Sequence, residues 1–252
     1  MEDWDPAQYL VYEDYRLRPG IDLITRLGGS PREIWDLGCG TGTITGILAE
    51  RWPGAAVHGL DSSPAMLERA RALSGIDWVL GDINAWRPSH PVDLVFSNAA
   101  LHWIDDHQTL LPRLIETLGP QGVLAVQIPR NHGAPSHTML AKTARSPRWV
   151  ERVGHLIRPT PVAPPRAYHS LLSPLVATLD VWETEYLQVL HGPNPVAAWT
   201  RSTAAKPFIE ALGDDAEAFM DDYGGQLRNA YPPSPDGTTL FPFKRLFIVG
   251  GK

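Results

Sequence analysis

The segment Asp36-Leu37-Gly38-Cys39-Gly40-Thr41-Gly42 is the part of this chain best suited to chemistry. It carries alternating glycines between a short apolar run and an amphipathic stretch. Glycines in such a turn let the backbone approach a ligand that a Cβ atom would hold off. The next acid at a strand end is Asp61, about twenty residues on, near the spacing of ribose-binding carboxylates in nucleotide-binding folds. Asp82 closes a third apolar run and Asn98 a fourth. Each feature has a plainer reading when taken singly. The turn can be just a tight turn, and Asp61 or Asp82 can cap a helix. Their joint placement at successive strand ends reads as a ligand site.

A nicotinamide dinucleotide site would use G-x-G-x-x-G, with its third glycine at position 43. Thr43 stands there, Gly42 comes one place early, and Asp36 precedes the first glycine by two. Both departures disfavour a dehydrogenase. No H-E-x-x-H or paired C-x-x-C spacing is present, and scattered histidines alone are not a metal site, so no metal is expected.

The elements that must position these residues follow from periodicity. Short apolar runs alternate with amphipathic stretches, which predicts βα units and a mostly parallel sheet. Strands are expected at Glu33–Leu37, Val57–Leu60, Ile76–Leu80, Val92–Phe96 and Gly122–Ile128. Helices are expected at 20–27 (Ile21, Ile24 and Leu27 inward), Thr43–Arg51, from Ser63-Pro64 onward (Met66, Leu67, Ala70 and Leu73 inward) and Asp105–Leu118. Asp105-Asp106 suit the start of the last of these, where acids meet the helix dipole. After Pro129 the alternation stops. A proline-rich connection spans 158–165, Asp180–Leu190 reads as a strand, 195–230 as helical, and Arg245–Val249 as a final strand. The insertions are expected to cover the carboxyl ends of the parallel strands, where open α/β sheets bind ligands.

Bulk properties limit the options. The 252 residues have ordinary globular composition, 43% hydrophobic and 20% charged, with a formal net charge of -6. A uniform basic face for nucleic acid is not expected. The single cysteine, Cys39, excludes an intrachain disulfide and suits a reducing compartment. The acidic start, Met1-Glu2-Asp3-Trp4-Asp5, lacks the apolar stretch of a secretory leader. No apolar run is long enough to span a bilayer. These features predict a cytoplasmic protein without membrane partners.

Asp36–Gly42, Asp61, Gly81-Asp82 and Asp93-Leu-Val-Phe-Ser-Asn98 together resemble the successive motifs of class I S-adenosylmethionine-dependent methyltransferases. Further segments are similar to one family within that class, the trans-aconitate 2-methyltransferases. They are Trp4–Leu10, Arg16-Leu-Arg-Pro19, Asp61–Met66, Ser97–Trp103, Pro120–Gln127 and Arg245–Val249. The resemblance covers nearly the whole chain and is weakest near 130–165. It implies a Rossmann-like α/β sheet of seven strands, mostly parallel with the last antiparallel, helices on both faces and a helical cap. It implies one methyltransferase domain over 1–252, with an N-terminal lid (1–30), a cofactor core (31–130) and cap insertions (131–180 and 192–238).

The resemblance also implies roles. Asp61 would accept from both ribose hydroxyls, with Ser62 beside it, and Asp82 would accept from the adenine amino group. The Ile83 N–H would meet a ring nitrogen, and Met66 would wall the adenine. Asp36, Gly38, Gly40, Gly42 and Asn98 would surround the methionine part. The product would be S-adenosylhomocysteine. A carboxylate acceptor is already ionised at neutral pH and needs no general base, so no catalytic residue is required beyond positioning, assigned to His102 and Arg16. Arginine forks suit a small anionic polycarboxylic acid. Arg16, Arg18, Arg130 and Arg245 are candidates, with Tyr9, Tyr12, His102, Trp103, Gln127, Tyr168 and Tyr231 as pocket donors. A phenol or quinone precursor as acceptor, or a non-catalytic cofactor-binding module, are the alternatives.

Overall fold

A computed structural model describes residues 13–160 and 162–252, with the side chains of Glu13, Asp14 and Arg16 excepted. The chain runs α1 (Glu13–Thr25), β1 (Glu33–Leu37), α2 (Thr43–Arg51), β2 (Ala56–Asp61), α3 (Pro64–Ala70), β3 (Asp77–Leu80) and β4 (Val92–Asn98). A 3-10 turn (Leu101–Trp103) precedes α4 (His107–Glu116) and β5 (Leu118–Pro129). Then come α5 (Pro135–Ala144), α6 (Val150–Val153), α7 (Pro165–Leu172) and β6 (Thr178–Leu190). The chain ends with α8 (Pro195–Arg201), α9 (Lys206–Leu212), α10 (Ala216–Ala230) and β7 (Thr239–Gly251).

All seven strands join one sheet in the order β3-β2-β1-β4-β5-β7-β6. The pairs β1–β2, β1–β4, β2–β3 and β4–β5 are parallel, and β7 runs antiparallel to β5. The order reverses direction between β1 and β4, so the glycine turn after β1 lies at the topological switch point. The Rossmann-like arrangement expected from the sequence is the one observed.

Burial explains why the strands form where they do. β4 is buried from Leu94 to Ser97, and β5 from Leu124 to Ile128, as parallel strands covered on both faces must be. Helix α3 starts as expected, with Ser63 capping it through Met66 N–H at 3.3 Å and Pro64 in its first turn. Asp106 caps α4 through Thr109 N–H at 3.0 Å. Two inward assignments need correction. Leu73 is 39% exposed because α3 stops at Ala70, three residues short. Ile21 is 40% exposed, and the buried stripe of α1 is Leu23, Ile24 and, just past its end, Leu27. β3 is an edge strand, which leaves Leu80 57% exposed.

The chain divides into two compact units. The first holds the described residues of Met1–Pro129, Pro161–Thr184 and Arg245–Lys252; the second is Arg130–Thr160 with Glu185–Lys244. One face of the sheet in the first unit packs Val95, Val126, Leu246 and Ile248 against Leu110, Leu111, Leu114, Tyr168 and Leu172. The second unit has its own aromatic core, with Trp199, Phe241 and Phe243 in mutual contact and Phe208 stacked on Phe219. No helix among the described residues is long and apolar enough to cross a membrane.

Tyr168, expected as a pocket donor, belongs to the first unit's core. His107 Nε2 donates to the Leu101 carbonyl at 2.8 Å, so its Nδ1 accepts from the Tyr168 hydroxyl at 2.6 Å. The same hydroxyl accepts from Ala163 N–H at 3.1 Å. Tyr168→Phe would strand the buried Nδ1 acceptor of His107. The expected cost is about 1–3 kcal/mol, read as a lowered midpoint in urea unfolding with an unchanged slope.

Candidate active site

The turn after β1 is pinned from below and from one side. Gly38 and Cys39 N–H both donate to the Leu60 carbonyl, at 2.7 and 3.1 Å. Gly40 N–H donates to Asp61 Oδ2 at 2.8 Å, and Ser63 N–H to Asp61 Oδ1 at 2.9 Å. Asp61 thus ties the turn to the end of β2. A carboxylate offers roughly four lone-pair sites, so the N–H groups of Gly40, Ser63 and Ser62 leave about one for a ligand. Burial raises the Asp61 pKa, and the N–H groups of Ser63, Gly40 and Ser62 oppose that rise.

Each glycine of the turn has a left-handed φ, but the three face different surroundings. A Cβ on Gly38 would lie 2.2 Å from Ala100 Cβ, and one on Gly42 would lie 2.5 Å from the Trp78 ring. At Gly40 nothing lies within 4 Å. Gly38 and Gly42 are therefore fixed by packing, whereas Gly40 presents open backbone, as a cradle for a ligand should.

Asp36 lies beneath the turn, 2% exposed. Its Oδ2 accepts from Thr45 Oγ1 on α2 at 2.7 Å. Burial, with a smaller contribution from the Asp61 charge, pushes its pKa up to about 7. Cys39, buried beside both acids, has its thiol pKa pushed upward and is inert at neutral pH.

Moving along the sheet edge, Asp82 follows β3 and folds into a local turn, accepting Asn84 N–H at 2.8 Å. The turn is held from behind by Arg113 of α4, which donates to the carbonyls of Ile83 and Trp86 at 2.9 and 2.8 Å. Ile83 is half-buried, Ser62 is exposed, and Met66 lies in the core at 5% exposure.

Past the switch point, Asn98 ends β4 directly opposite Gln127 of β5, and Gln127 faces Phe247 of β7. Residues paired in this way share a face. Gln127 is fully buried, yet among the described residues neither end of its amide has a hydrogen-bond partner, and Asn98 Oδ1 is likewise unpartnered. Such groups cost about 1–3 kcal/mol each when left unmet, and a bound ligand is one reason for a protein to carry them. Arg245, 3% exposed, stands opposite Pro129 on the same face. Trp182 stacks on Phe247 with centroids 4.8 Å apart.

Helix α1 passes close above: a Cβ on Gly20 would lie 3.3 Å from Asn98 Cγ and 2.6 Å from Ile44. Arg16 stands on this helix one turn earlier, but its side chain, like Tyr9, Tyr12 and Trp4–Leu10, lies outside the described residues. Arg18 is exposed. His102 is half-buried and packs at 4.7 Å against Trp103, itself 42% exposed, just after β4. Arg130 and Tyr231 belong to the second unit, where the Tyr231 hydroxyl accepts Ser136 N–H at 3.2 Å.

The carboxyl edge thus carries, in spatial order, Asp82, Asp61, the glycine turn, Asn98, Gln127 and Arg245. Thr45, Trp78 and Arg113 support it, and sequence reading singled out none of them. Only Thr45 had a signal, a hydroxyl two residues into the helix that follows Asp36. Among the described residues no cluster of three or more His, Cys, Asp or Glu could hold a metal ion.

Comparison with known proteins places this arrangement. A family described as Methyltransferase domain matches residues 34–122. The trans-aconitate 2-methyltransferase of Streptomyces avermitilis is 43% identical, over 99% of this chain and 97% of its own length. That of Azoarcus sp. (strain BH72) is also 43% identical, over 99% of each chain. Among solved structures, a putative methyltransferase from Bacillus halodurans superimposes with a TM-score of 0.57 at 14% identity, covering 92% of this chain and 98% of its own. Haemonchus contortus phosphoethanolamine N-methyltransferase 2, solved with S-adenosylhomocysteine, gives 0.55 at 14% identity, covering 92% and 52%. The last two likenesses concern the fold.

The contrast among the glycines is open to test. Both Gly40→Ala and Gly42→Ala force a left-handed alanine, but only the second also drives a methyl into Trp78. Gly42→Ala should lower the melting temperature more than Gly40→Ala. Equal melting temperatures would mean that Trp78 does not constrain the turn.

Proposed function

The chain belongs to the trans-aconitate 2-methyltransferase family, and from that premise we propose that it moves the methyl group of S-adenosylmethionine to a carboxylate of trans-aconitate or a similar small polycarboxylic acid, in the cytoplasm. The observation that carries the reading is the row of unmet or half-met polar groups at the carboxyl edge. Gly40 is open, Asp61 keeps about one lone pair, and Asn98 and Gln127 bury amide atoms without partners among the described residues.

These residues fit the methyl donor. Asp61 would take the ribose hydroxyls, with Ser62 beside it. Asp82 and the Ile83 N–H would take the adenine, with Met66 behind. The Asp36–Gly42 turn and Asn98 would hold the methionine part, whose ammonium needs acceptors. When bound, S-adenosylmethionine supplies a methyl group on a sulfonium centre, which an ionised oxygen attacks directly.

The acceptor carboxylate is ionised near neutral pH, so no base is needed and the protein's task is alignment. We assign alignment to His102 and Gln127. Gln127 Nε2 is a donor without a partner among the described residues, and a carboxylate oxygen would satisfy it. Arg16, Arg18 and Arg130 would pair with the remaining carboxylates, each through a two-pronged contact. Trp103, Tyr9 and Tyr231 would complete the pocket. The insertions 131–180 and 192–238, with the lid 1–30, would serve as the cap.

A methyl-transfer assay with trans-aconitate, other tricarboxylates and a catechol tests the assignment. Turnover is expected with the tricarboxylate and not with the catechol. Turnover of the phenol alone would move the protein to another acceptor class.

Asp36 gives a second check. Its pKa near 7 means that it is neutral below that pH and anionic above. A cationic ligand favours the anion, so donor affinity should rise about threefold to tenfold from pH 6 to 7.5. It should fall again above pH 8 as the ligand's own ammonium deprotonates. Calorimetry in buffers of different ionisation enthalpy should show proton release near pH 7. Flat affinity without proton release would remove Asp36 from the cation's surroundings.

A further inference from the structure

Residues 81–91 join β3 to β4 without a helix or strand of their own. Two side chains seat this loop. The Trp86 ring is buried and lies 5.3 Å from that of Trp35, and Ile83 packs on the same core. Apolar contacts of this kind are non-directional, so they do not decide which way the loop's peptide planes face.

Hydrogen bonds decide that, and most of them stay inside the loop. The Asp82 carbonyl accepts from Ala85 and Trp86 N–H at 3.0 and 2.9 Å. Asp82 Oδ1 accepts from Asn84 N–H at 2.8 Å and from Asn84 Nδ2 at 3.2 Å. Arg87 donates to the carbonyls of Asn84 and Trp86, at 3.0 and 2.7 Å. Arg113 differs because it comes from α4, whose Leu110, Leu111, Leu114 and Ile115 lie in the core. Its Nη2 donates to the Ile83 carbonyl at 2.9 Å and its Nη1 to the Trp86 carbonyl at 2.8 Å. A guanidinium is a rigid planar fork, so bonds from its two ends fix both carbonyls relative to α4.

Two polar groups of the loop are left over. Among the described residues, neither Asp82 Oδ2 nor the Ile83 N–H has a hydrogen-bond partner. They are an acceptor and a donor on consecutive residues. Such a pair complements a ring edge that presents a donor beside an acceptor. A 6-aminopurine does so through its amino group and N1. A 6-oxopurine reverses both, with a carbonyl oxygen and an N1–H.

We propose that Arg113 is a positioning residue that makes this loop selective for a 6-aminopurine, by holding the Ile83 peptide where its N–H and the Asp82 carboxylate can be met together. This role deepens the proposed function and rests on it for the identity of the ligand. Arg113 acts through the loop and not on the ligand.

Titration calorimetry with S-adenosylhomocysteine and its deaminated counterpart, S-inosylhomocysteine, tests the role on the parent protein, Arg113→Gln, Arg113→Lys and Arg87→Gln. The ratio of the two affinities is the readout, because a variant that is merely less well folded loses both in proportion. The parent should favour the adenine form by about a hundredfold or more. Arg113→Gln should lower that ratio about tenfold, through weaker binding of the adenine form. Arg113→Lys keeps the charge without the fork and should fall between the two. Arg87→Gln, whose lost bonds lie within the loop, should keep the ratio within about twofold. If the parent shows the preference and Arg113→Gln keeps it, or Arg87→Gln loses as much, the role of Arg113 is overturned while the proposed function stands. A parent that binds the two forms equally also overturns it. A parent that binds neither removes the proposed function, and the role of Arg113 with it.

Discussion

The hydrogen bond from Gly40 N–H to the Asp61 carboxylate is the contact on which the edge of the sheet depends. It joins the turn after β1 to the end of β2, and Asp61 in turn organises the start of α3 through Ser63 N–H. Three segments converge on two carboxylate oxygens. Burial raises the pKa of this carboxyl group, and the N–H groups of Ser63, Gly40 and Ser62 oppose the rise by favouring its anion. Asp36, a few residues away and without comparable N–H support, is held near its titration point instead.

The strand pattern was legible because parallel strands buried on both faces leave dense apolar runs, and their ends are marked by polar residues. Asp61, Asp82 and Asn98 could be placed at strand ends for that reason. Helix ends were less legible. Ala70 to Gly75 contains no proline or early glycine to mark where α3 stops, so Leu73 read as inward when the chain had already left the helix. Ile21 misled in another way: it lies three residues before Ile24 and so fits the same helical stripe, but the buried positions of α1 are Leu23 and Ile24.

Contacts across long separations were not legible at all. Arg113 reaches carbonyls some thirty residues earlier, and nothing in its local sequence distinguishes it from a solvated arginine. Trp78 reads as an ordinary strand residue until the fold lays its ring against Gly42 and Gly59.

Arg113 also makes the loop after β3 an appendage of α4. The loop's carbonyls at Ile83 and Trp86 are positioned by a side chain from a helix on the far side of β4 in the sequence. The two segments therefore form one module: a loop transplanted from another protein would arrive without its brace, and drift along α4 would be felt at the carbonyls of Ile83 and Trp86. Exchange of the loop together with α4 is the unit in which this end of the sheet can be re-engineered.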